Sequence, residues 1–366
     1  MSVNPTIYLK RWIQISLRRL IKKLAHSDLV QSLVWGRNET QSLVPLDFFT
    51  DSKGSTFQRL KGWRGSIVPR YARALEPQPN PPKVKTKEII GARNAVIAME
   101  NFFQINGYSI KNMKILELGC HGGSHACAMV ELGAMHVDGI DIPQYGIRQS
   151  PGKKENKKTI GQQSEWLNLL REETIQQYEA KHTCKVREKV DFFDLDVLDL
   201  KNSEFYDAVV SWQTLEHITK PQKAFENIFR ALRSGGIGFH AYNPYFCIDG
   251  GHSLCTLDFP YGHARLTDID FETYIKIYRP KEFEVAKNFF YHSLNRMTLA
   301  DLKVYTESAG FEILELIPWH SKHDLGSIDQ TVLNQIRDLY PNVTLNDLLS
   351  RSVWILLKKP SPVSIN

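Results

Sequence analysis

Cysteine is scarce in this sequence, and its spacing does not suit a metal or redox motif. The chain has five cysteines in 366 residues, and no two of them form a Cys-x-x-Cys pair. This odd number argues against a disulfide scaffold and a structural zinc site, so we expect a reducing compartment. The sequence also lacks the run of about 18 apolar residues that a membrane-spanning helix requires, and a signal-peptide core. We therefore expect a cytoplasmic protein.

An excess of positive charge is confined to the start of the chain. The sequence has 46 Lys+Arg and 40 Asp+Glu, and six of the basic residues but no acidic residue fall within residues 1–27. The rest of the chain is therefore balanced in charge. A balanced body lacks the basic surface that is typical of nucleic-acid-binding proteins, so nucleic acid is an unexpected partner.

Residues 7–24 have the pattern of a basic amphipathic helix. The large apolar residues that recur at helical spacing are Leu9, Ile13, Leu17, Leu20 and Leu24. Such a helix can pack on its own domain or on a second subunit, or it can lie on an anionic membrane, peripheral at the inner face. A targeting peptide is a further alternative. We expect a helical arm over 1–75, a proline-rich linker over 76–87 and the main domain over 88–366.

A glycine turn follows the first clear strand of the main domain. The strand at 113–118 runs into Gly119-Cys120-His121-Gly122-Gly123-Ser124, and a helical pattern continues to residue 132. A strand, a glycine turn and a helix together present backbone N–H groups to a nucleotide-like ligand. Two positions at which the dinucleotide pattern needs glycine hold His121 and Ser124, and the Gly-Lys-Ser/Thr of a P-loop is absent.

This turn resembles the first motif of the class I S-adenosylmethionine-dependent methyltransferases, acid-x-Gly-x-Gly-x-Gly. Glu117, Gly119 and Gly123 match the motif, whereas His121 replaces its middle glycine. Further segments resemble the family in the same order: Asp141 at the end of a second strand, Asp196-Val197 after a third, a fourth strand at 206–212 that ends at Trp212 and is followed by Gln213, then Leu215-Glu216-His217-Ile218, and Leu232-Arg233-Ser234-Gly235-Gly236. The resemblance implies a doubly wound α/β fold with a seven-stranded sheet, six strands parallel and one reversed, and S-adenosylmethionine as cofactor.

The resemblance also implies roles for the cofactor-site residues. Asp141 would hold the two ribose hydroxyls, because a carboxylate can accept both hydrogen bonds, and Asp196 would meet the adenine amino group. The implied cofactor site consists of Glu117, Gly119, His121, Gly123, Asp141, Asp196, Val197, Trp212 and Gln213. Simpler interpretations stay open, because Glu117 can pair locally, the aspartates can be ordinary loop acids and Trp212 can belong to the core.

Two insertions are expected to lie beside this site. The first, at 148–182, is polar and helical, and it suits either a solvated helix or a basic surface for an acidic acceptor or membrane headgroups. The second, at 243–297, follows the fifth strand, where inserts of this fold build the acceptor pocket. It is rich in aromatic residues, which can stack on a ring, and in turn glycines.

Methyl transfer to a hydroxyl needs a positioned nucleophile and a group that takes its proton. His252, His263 and His217 are the candidate bases, although each can equally be structural. No metal is expected, since the spacing of Asp249, His252, Asp258 and His263 matches no compact ligand motif. The prediction is O-methylation of a sugar-like or other small polar acceptor, a small molecule or glycan. Alternatives are a membrane-associated lipid or quinone methyltransferase and a non-catalytic S-adenosylmethionine-binding module; the oligomeric state stays open.

Overall fold

The computed structural model describes most of the chain after its first 42 residues. The described ranges are 43–69, 71–76, 78–182, 185–321 and 324–361. The predicted amphipathic helix at 7–24 lies outside them, so it stays a prediction. Within the described ranges, no helix combines the length and the apolar character that crossing a bilayer requires.

Residues 44–61, which we predicted as part of a helical arm, form a β-hairpin instead. Strand β1 (Val44–Thr50) pairs antiparallel with β2 (Thr56–Lys61), and Phe49 lies opposite Phe57. Both phenylalanines are buried in a cluster formed largely by the insertion after the fifth sheet strand. The strand conformation is favoured because it sends these side chains to a hydrophobic surface that a distant segment supplies.

The proline-rich segment predicted as a linker is irregular but packed. The described residues between 76 and 85 form neither helix nor strand. The indole Nε1 of Trp166 donates to the Pro79 carbonyl at 2.8 Å, and the Val84 side chain is buried. The segment therefore lies against the insertion at 148–182.

A mixed seven-stranded sheet forms the centre of the described structure and confirms the predicted fold class. Its strands are β3 (Lys114–Leu118), β4 (His136–Asp141), β5 (Val190–Asp194), β6 (Tyr206–Trp212), β7 (Leu232–Tyr242), β8 (Glu312–His320) and β9 (Ser350–Lys358). Their order is β5-β4-β3-β6-β7-β9-β8. Only β9 runs antiparallel to its neighbours, so six strands are parallel and one is reversed.

Helices cover both faces of this sheet. The described helices are α1 (Trp63–Ile67), α2 (Thr86–Ile105), α3 (Ser124–Glu131), α4 (Pro143–Arg148), α5 (Lys157–Lys181), α6 (Pro221–Ala231), α7 (His252–Cys255), α8 (Gly262–Arg265), α9 (Asp268–Tyr278), α10 (Phe283–His292), α11 (Leu299–Ser308), α12 (Gln330–Leu339) and α13 (Leu345–Leu349). Successive strand residues point to opposite faces. Ile115 therefore joins the cluster of α2, α3 and α5, whereas Leu116 joins the cluster of α6 and α11.

Helix α5 fills most of the insertion at 148–182, and it is not simply a solvated helix. Leu167, Leu170, Ile175 and Tyr178 are buried along one of its faces. Its polar residues lie mostly on the other face, which explains why the sequence looks uniformly polar. The insertion is therefore part of the core beside the glycine turn.

The insertion at 243–297 folds as a helical unit built from α7, α8, α9 and α10. Polar contacts tie the N-terminal hairpin region to it. The Arg64 guanidinium bonds both carboxylate oxygens of Glu282, at 2.8 and 3.0 Å, and the Ser52 N–H donates to Asp270 at 2.8 Å. This unit lies at the carboxyl end of β7, next to the cleft described below.

Candidate functional site

A cleft of about 820 Å³ opens at the carboxyl ends of β3, β4 and β6. Among its lining residues are the glycine turn after β3, Asp141 at the end of β4, and Trp212 at the end of β6. Parallel strands place their carboxyl ends at one edge of the sheet, so the loops that follow them converge there even when they are far apart in sequence. The volume falls in the range of about 300–1,000 Å³ that is typical of ligand sites.

The glycine turn has a backbone that few residues can adopt. Gly119 has a φ of +68°, and a Cβ at this position would overlap the Thr214 side chain. His121 also has a positive φ, 42°, and its side chain lines the cleft. Its N–H donates to Asp141 Oδ2 at 2.7 Å. His121, which replaces a glycine of the family motif, therefore retains the positive φ of the turn and hydrogen-bonds the turn to the end of β4.

Asp141 is fixed on both oxygens by backbone N–H groups. Oδ2 accepts from His121 as described, and Oδ1 accepts from the N–H of Ile142 at 2.6 Å. An ionised carboxylate has about four acceptor positions, so two remain for a ligand. The side chain lines the cleft and is therefore in position to meet paired hydroxyl groups.

The structure brings most of the predicted cofactor residues to the same cleft. Those that line it are Gly119, His121, Asp141, Asp196, Val197, Trp212 and Gln213. The other two predicted residues lie behind the wall: Gly123 is the residue before α3, and Glu117 is buried in β3. Asp196 also caps the short turn that follows it, because its Oδ1 accepts from the N–H of Leu198 at 2.9 Å.

Glu117 has a partner that the sequence did not indicate. His125 Nδ1 lies 3.2 Å from Glu117 Oε1, and the His125 ring stacks on Trp212 with 4.4 Å between ring centroids. The second oxygen of Glu117 has no hydrogen-bond partner among the described residues. Burial raises the pKa of this carboxyl group. A buried carboxyl oxygen without a partner, behind the wall of the cleft, favours a nearby donor or cationic group.

Arg171 is a second residue that the sequence did not indicate. It comes from α5, is buried, and donates from Nε to the His121 carbonyl at 3.0 Å. Its Nη1 lies 3.0 Å from Asn168 Oδ1 and 3.3 Å from Asp194 Oδ1. The insertion therefore supports the glycine turn. No local signal distinguishes this arginine from the other charges of a polar helix.

His217 and His252 meet at the other end of the cleft, with 4.9 Å between their ring centroids. The Nδ1–H of His217 donates to the Ser293 carbonyl at 2.5 Å, which leaves Nε2 to accept from the Tyr145 hydroxyl at 2.8 Å. His252 Nε2 is buried without a partner in the described part of the chain. Burial lowers the pKa of His217 to about 3 and that of His252 to about 4, so both rings are neutral near pH 7.

Glu216 is buried behind the wall at this end of the cleft, next to the two histidines. Its Oε1 accepts from the N–H of Asn243 at 3.3 Å, whereas Oε2 is buried with no hydrogen-bond partner among the residues described. Burial raises the pKa of Glu216 to about 8. One ligand atom each from Glu216, His217 and His252 lie within 4.8 Å of one another. The sequence predicted the two histidines at this site but not the glutamate.

His263, the third predicted base, lies away from the cleft. It is fully buried, its Nε2 donates to the Tyr245 carbonyl at 2.8 Å, and the Tyr245 hydroxyl donates back to the His263 carbonyl at 2.5 Å. This reciprocal pair holds the 243–297 insertion together. The structure therefore corrects the prediction of a catalytic His263, because no acceptor in the cleft reaches its ring.

A family model described as a methyltransferase domain matches residues 93–316. A search of curated proteins finds no match. Similar solved structures include the [4+2]-cyclase SpnF, with 15% identity over 74% of this chain and 81% of that chain and a TM-score of 0.42.

Two further similar structures are methyltransferases. An S-adenosylmethionine-dependent methyltransferase from Mesorhizobium loti is 12% identical over 74% of this chain and 99% of that chain, with a TM-score of 0.39. Phosphoethanolamine N-methyltransferase 2 from Haemonchus contortus, in complex with S-adenosyl-L-methionine, is 17% identical over 73% of this chain and 53% of that chain, with a TM-score of 0.41.

Proposed function

The chain belongs to the methyltransferase-domain family, and we propose that it methylates a hydroxyl of a sugar-like or other small polar acceptor. Membership makes it an S-adenosylmethionine-dependent enzyme with the class I fold. The observation that carries the proposal is the division of one cleft into two ends. Backbone turns and the carboxylates of Asp141 and Asp196 occupy one end, and a cluster of neutral histidines occupies the other.

We assign the cofactor to the end formed by the glycine turn. The free acceptor positions of Asp141 suit the ribose hydroxyls, and Asp196 with Val197 suits the adenine. The free oxygen of Glu117 suits the ammonium group of the methionine part. His125 holds the other oxygen of Glu117 and thereby fixes the carboxylate.

The part of the acceptor that enters the cleft has to be small. The whole cleft measures about 820 Å³, which is close to the upper size of a site for one drug-sized ligand. A cofactor bound at one end leaves room for a compact molecule or for the end of a larger one. Tyr145, His217 and His252 surround this remaining space with one aromatic hydroxyl and two imidazoles, which suit a polar ring with several hydroxyls.

The hydrogen bonds of the two histidines indicate how a hydroxyl would be methylated. The acceptor oxygen forms a bond to the methyl carbon while the carbon–sulfur bond breaks, which yields a methyl ether and S-adenosylhomocysteine. The hydroxyl proton must leave, and His252 Nε2, which has no hydrogen-bond partner among the described residues, is in position to take it. His217 is already engaged at both nitrogens and instead orients Tyr145.

The test pairs cofactor binding with turnover. The protein is incubated with labelled S-adenosylmethionine and panels of hydroxyl, amine and carboxylate compounds, and methylated products are identified by mass spectrometry. His252→Asn is the informative variant, because asparagine tolerates the φ of 50° at this position. It should lower turnover about 10²–10⁴-fold and leave S-adenosylhomocysteine affinity unchanged. The exposed His292→Ala is the matched control. Products found only on nitrogen would refute O-methylation.

A peripheral membrane role is the second candidate. Leu46 and Phe48 on β1 are exposed, and the segment predicted as a basic amphipathic helix at 7–24 precedes them in the sequence. A basic amphipathic helix is typical of proteins that bind anionic membranes, and exposed apolar side chains can add to such binding. A lipid-linked acceptor would then be presented at the membrane, and the liposome assay given in the Discussion tests this.

A further inference from the structure

We propose that Glu216, His217 and His252 form a binding site for a divalent first-row transition-metal cation. The inference deepens the proposed function and rests on it only for the position of the acceptor. The three side chains come from two loops that are about 35 residues apart in the chain. Their ligand atoms nevertheless lie within 4.8 Å of one another at the acceptor end of the cleft.

Unpartnered buried atoms are the first reason for this proposal. Glu216 is 1% exposed, and its Oε2 has no hydrogen-bond partner in the described structure. His252 Nε2 is buried without a partner in the same ranges. Buried polar atoms are normally hydrogen-bonded, and a buried carboxyl oxygen without a partner is costly. A cation between the two atoms satisfies both.

The backbone that carries His252 is the second reason. His252 has a φ of +50°, a conformation that is strained for a residue with a side chain. It follows Gly250 and Gly251, and a Cβ on Gly250 would overlap the Tyr245 carbonyl. The tight loop therefore holds the imidazole in one direction, into the cleft. Strain of this kind persists where the surroundings fix a functional geometry.

The donor set indicates the class of cation. Two imidazole nitrogens and one carboxylate oxygen suit zinc, iron, cobalt and nickel ions better than magnesium or calcium, which prefer oxygen ligands. Three protein ligands leave coordination positions open toward the cleft, as in catalytic metal sites. An acceptor hydroxyl could occupy one of them, where the cation would make its proton more acidic and His252 would act as a ligand.

Tyr145 is the group that must adjust. Its hydroxyl donates to His217 Nε2 in the structure, so cation binding at this nitrogen requires the hydroxyl to turn away. The other nitrogen of His217 is already oriented by the Ser293 carbonyl, as is usual for metal-bound histidines. The ligand atoms also have to approach one another, since tetrahedral ligands at about 2.1 Å from zinc lie about 3.4 Å apart.

The experiment measures cation binding directly. The full-length protein is freed of metal with a chelator and titrated with Co²⁺, whose visible absorption reports coordination, and then with Zn²⁺ by calorimetry. We expect one saturable site of micromolar or tighter affinity. Glu216→Gln and His252→Asn should each weaken it about 100-fold, whereas His320→Asn, which changes an exposed histidine, should not.

Controls separate this inference from the proposed function. S-adenosylhomocysteine affinity is measured for every variant, and unchanged values show that the fold and the cofactor end are intact. Millimolar Co²⁺ binding, or binding that Glu216→Gln and His252→Asn leave unchanged, overturns the cation site whether or not a methylated product is found. Loss of binding in His136→Asn instead would place the ion at the opposite end of β4 and equally refute the assignment.

Discussion

Replacement of Arg171 tests whether the 148–182 insertion holds the cofactor end of the cleft. Arg171→Met keeps the length and the apolar stem of the side chain and removes the guanidinium. The His121 carbonyl then loses its donor at 3.0 Å, and Asp194 loses its ion pair at 3.3 Å. The N–H of the same His121 binds Asp141, so a change in this turn reaches the proposed ribose site.

The contacts give the expected magnitude. The His121 carbonyl is partly buried, and leaving such a group without a donor costs up to about 1–3 kcal/mol. The Asp194 side chain is 28% exposed, so its ion pair adds less than about 1 kcal/mol. We therefore expect the free energy of unfolding to fall by about 1–4 kcal/mol. We also expect the affinity for S-adenosylhomocysteine to fall about tenfold or more, because about 1.4 kcal/mol corresponds to a factor of ten.

Urea denaturation and titration calorimetry measure these two quantities. Arg187→Met is the matched control, because Arg187 forms an ion pair with Glu172 in which both side chains are more than 40% exposed. Its effect on stability should stay below about 1 kcal/mol, and its effect on affinity should be absent. Parent-like stability and affinity in Arg171→Met would show that the glycine turn holds its shape without the insertion.

Three further predictions concern the ribose site, a buried histidine and the N-terminal segment. Asp141→Ala should weaken S-adenosylhomocysteine binding by about 2–4 kcal/mol in calorimetry, because two charge-assisted hydrogen bonds are lost. The control Asp199→Ala, which changes an exposed aspartate, should leave binding unchanged. Equal affinities of Asp141→Ala and the parent protein would mean that the ribose binds elsewhere. Burial lowers the pKa of His240 to about 3, so below about pH 6.5 the unfolded chain binds a proton that the folded chain does not. The free energy of unfolding should therefore decrease on acidification by up to about 1.4 kcal/mol per pH unit. In urea titrations, His240→Gln should show a smaller decrease than the parent protein. An equal decrease in the variant and the parent would contradict this prediction. Deletion of residues 2–42 should reduce sedimentation with anionic liposomes, most clearly at low salt, and leave cofactor binding intact; unchanged sedimentation would contradict the membrane role.

The sequence by itself determined the central fold and the convergence of the glycine turn, Asp141 and Trp212 on one cleft. The central parallel strands β3, β4 and β6 are buried along most of their length, so they are rich in apolar residues. A recognisable residue lies at or just after the end of each of them, namely Gly119, Asp141 and Trp212. Strand β6 was predicted with the bounds that the structure has. These features are local, because the motif residues lie next to the strands that position them. Their order along the chain was therefore enough to predict the sheet and the convergence of its loops.

The tertiary structure decided what distant segments do to one another. Arg171 looks like any other charge of a polar helix until α5 packs against the glycine turn. Glu216 lies next to His252 only because the insertion at 243–297 folds back over the cleft. The same insertion buries His263 away from the cleft, where its ring bonds the Tyr245 carbonyl. The hairpin at 44–61 likewise forms on a surface that residues some 200 positions away provide. Contacts of this range leave no periodic signal in either partner, so only the packed chain reveals them.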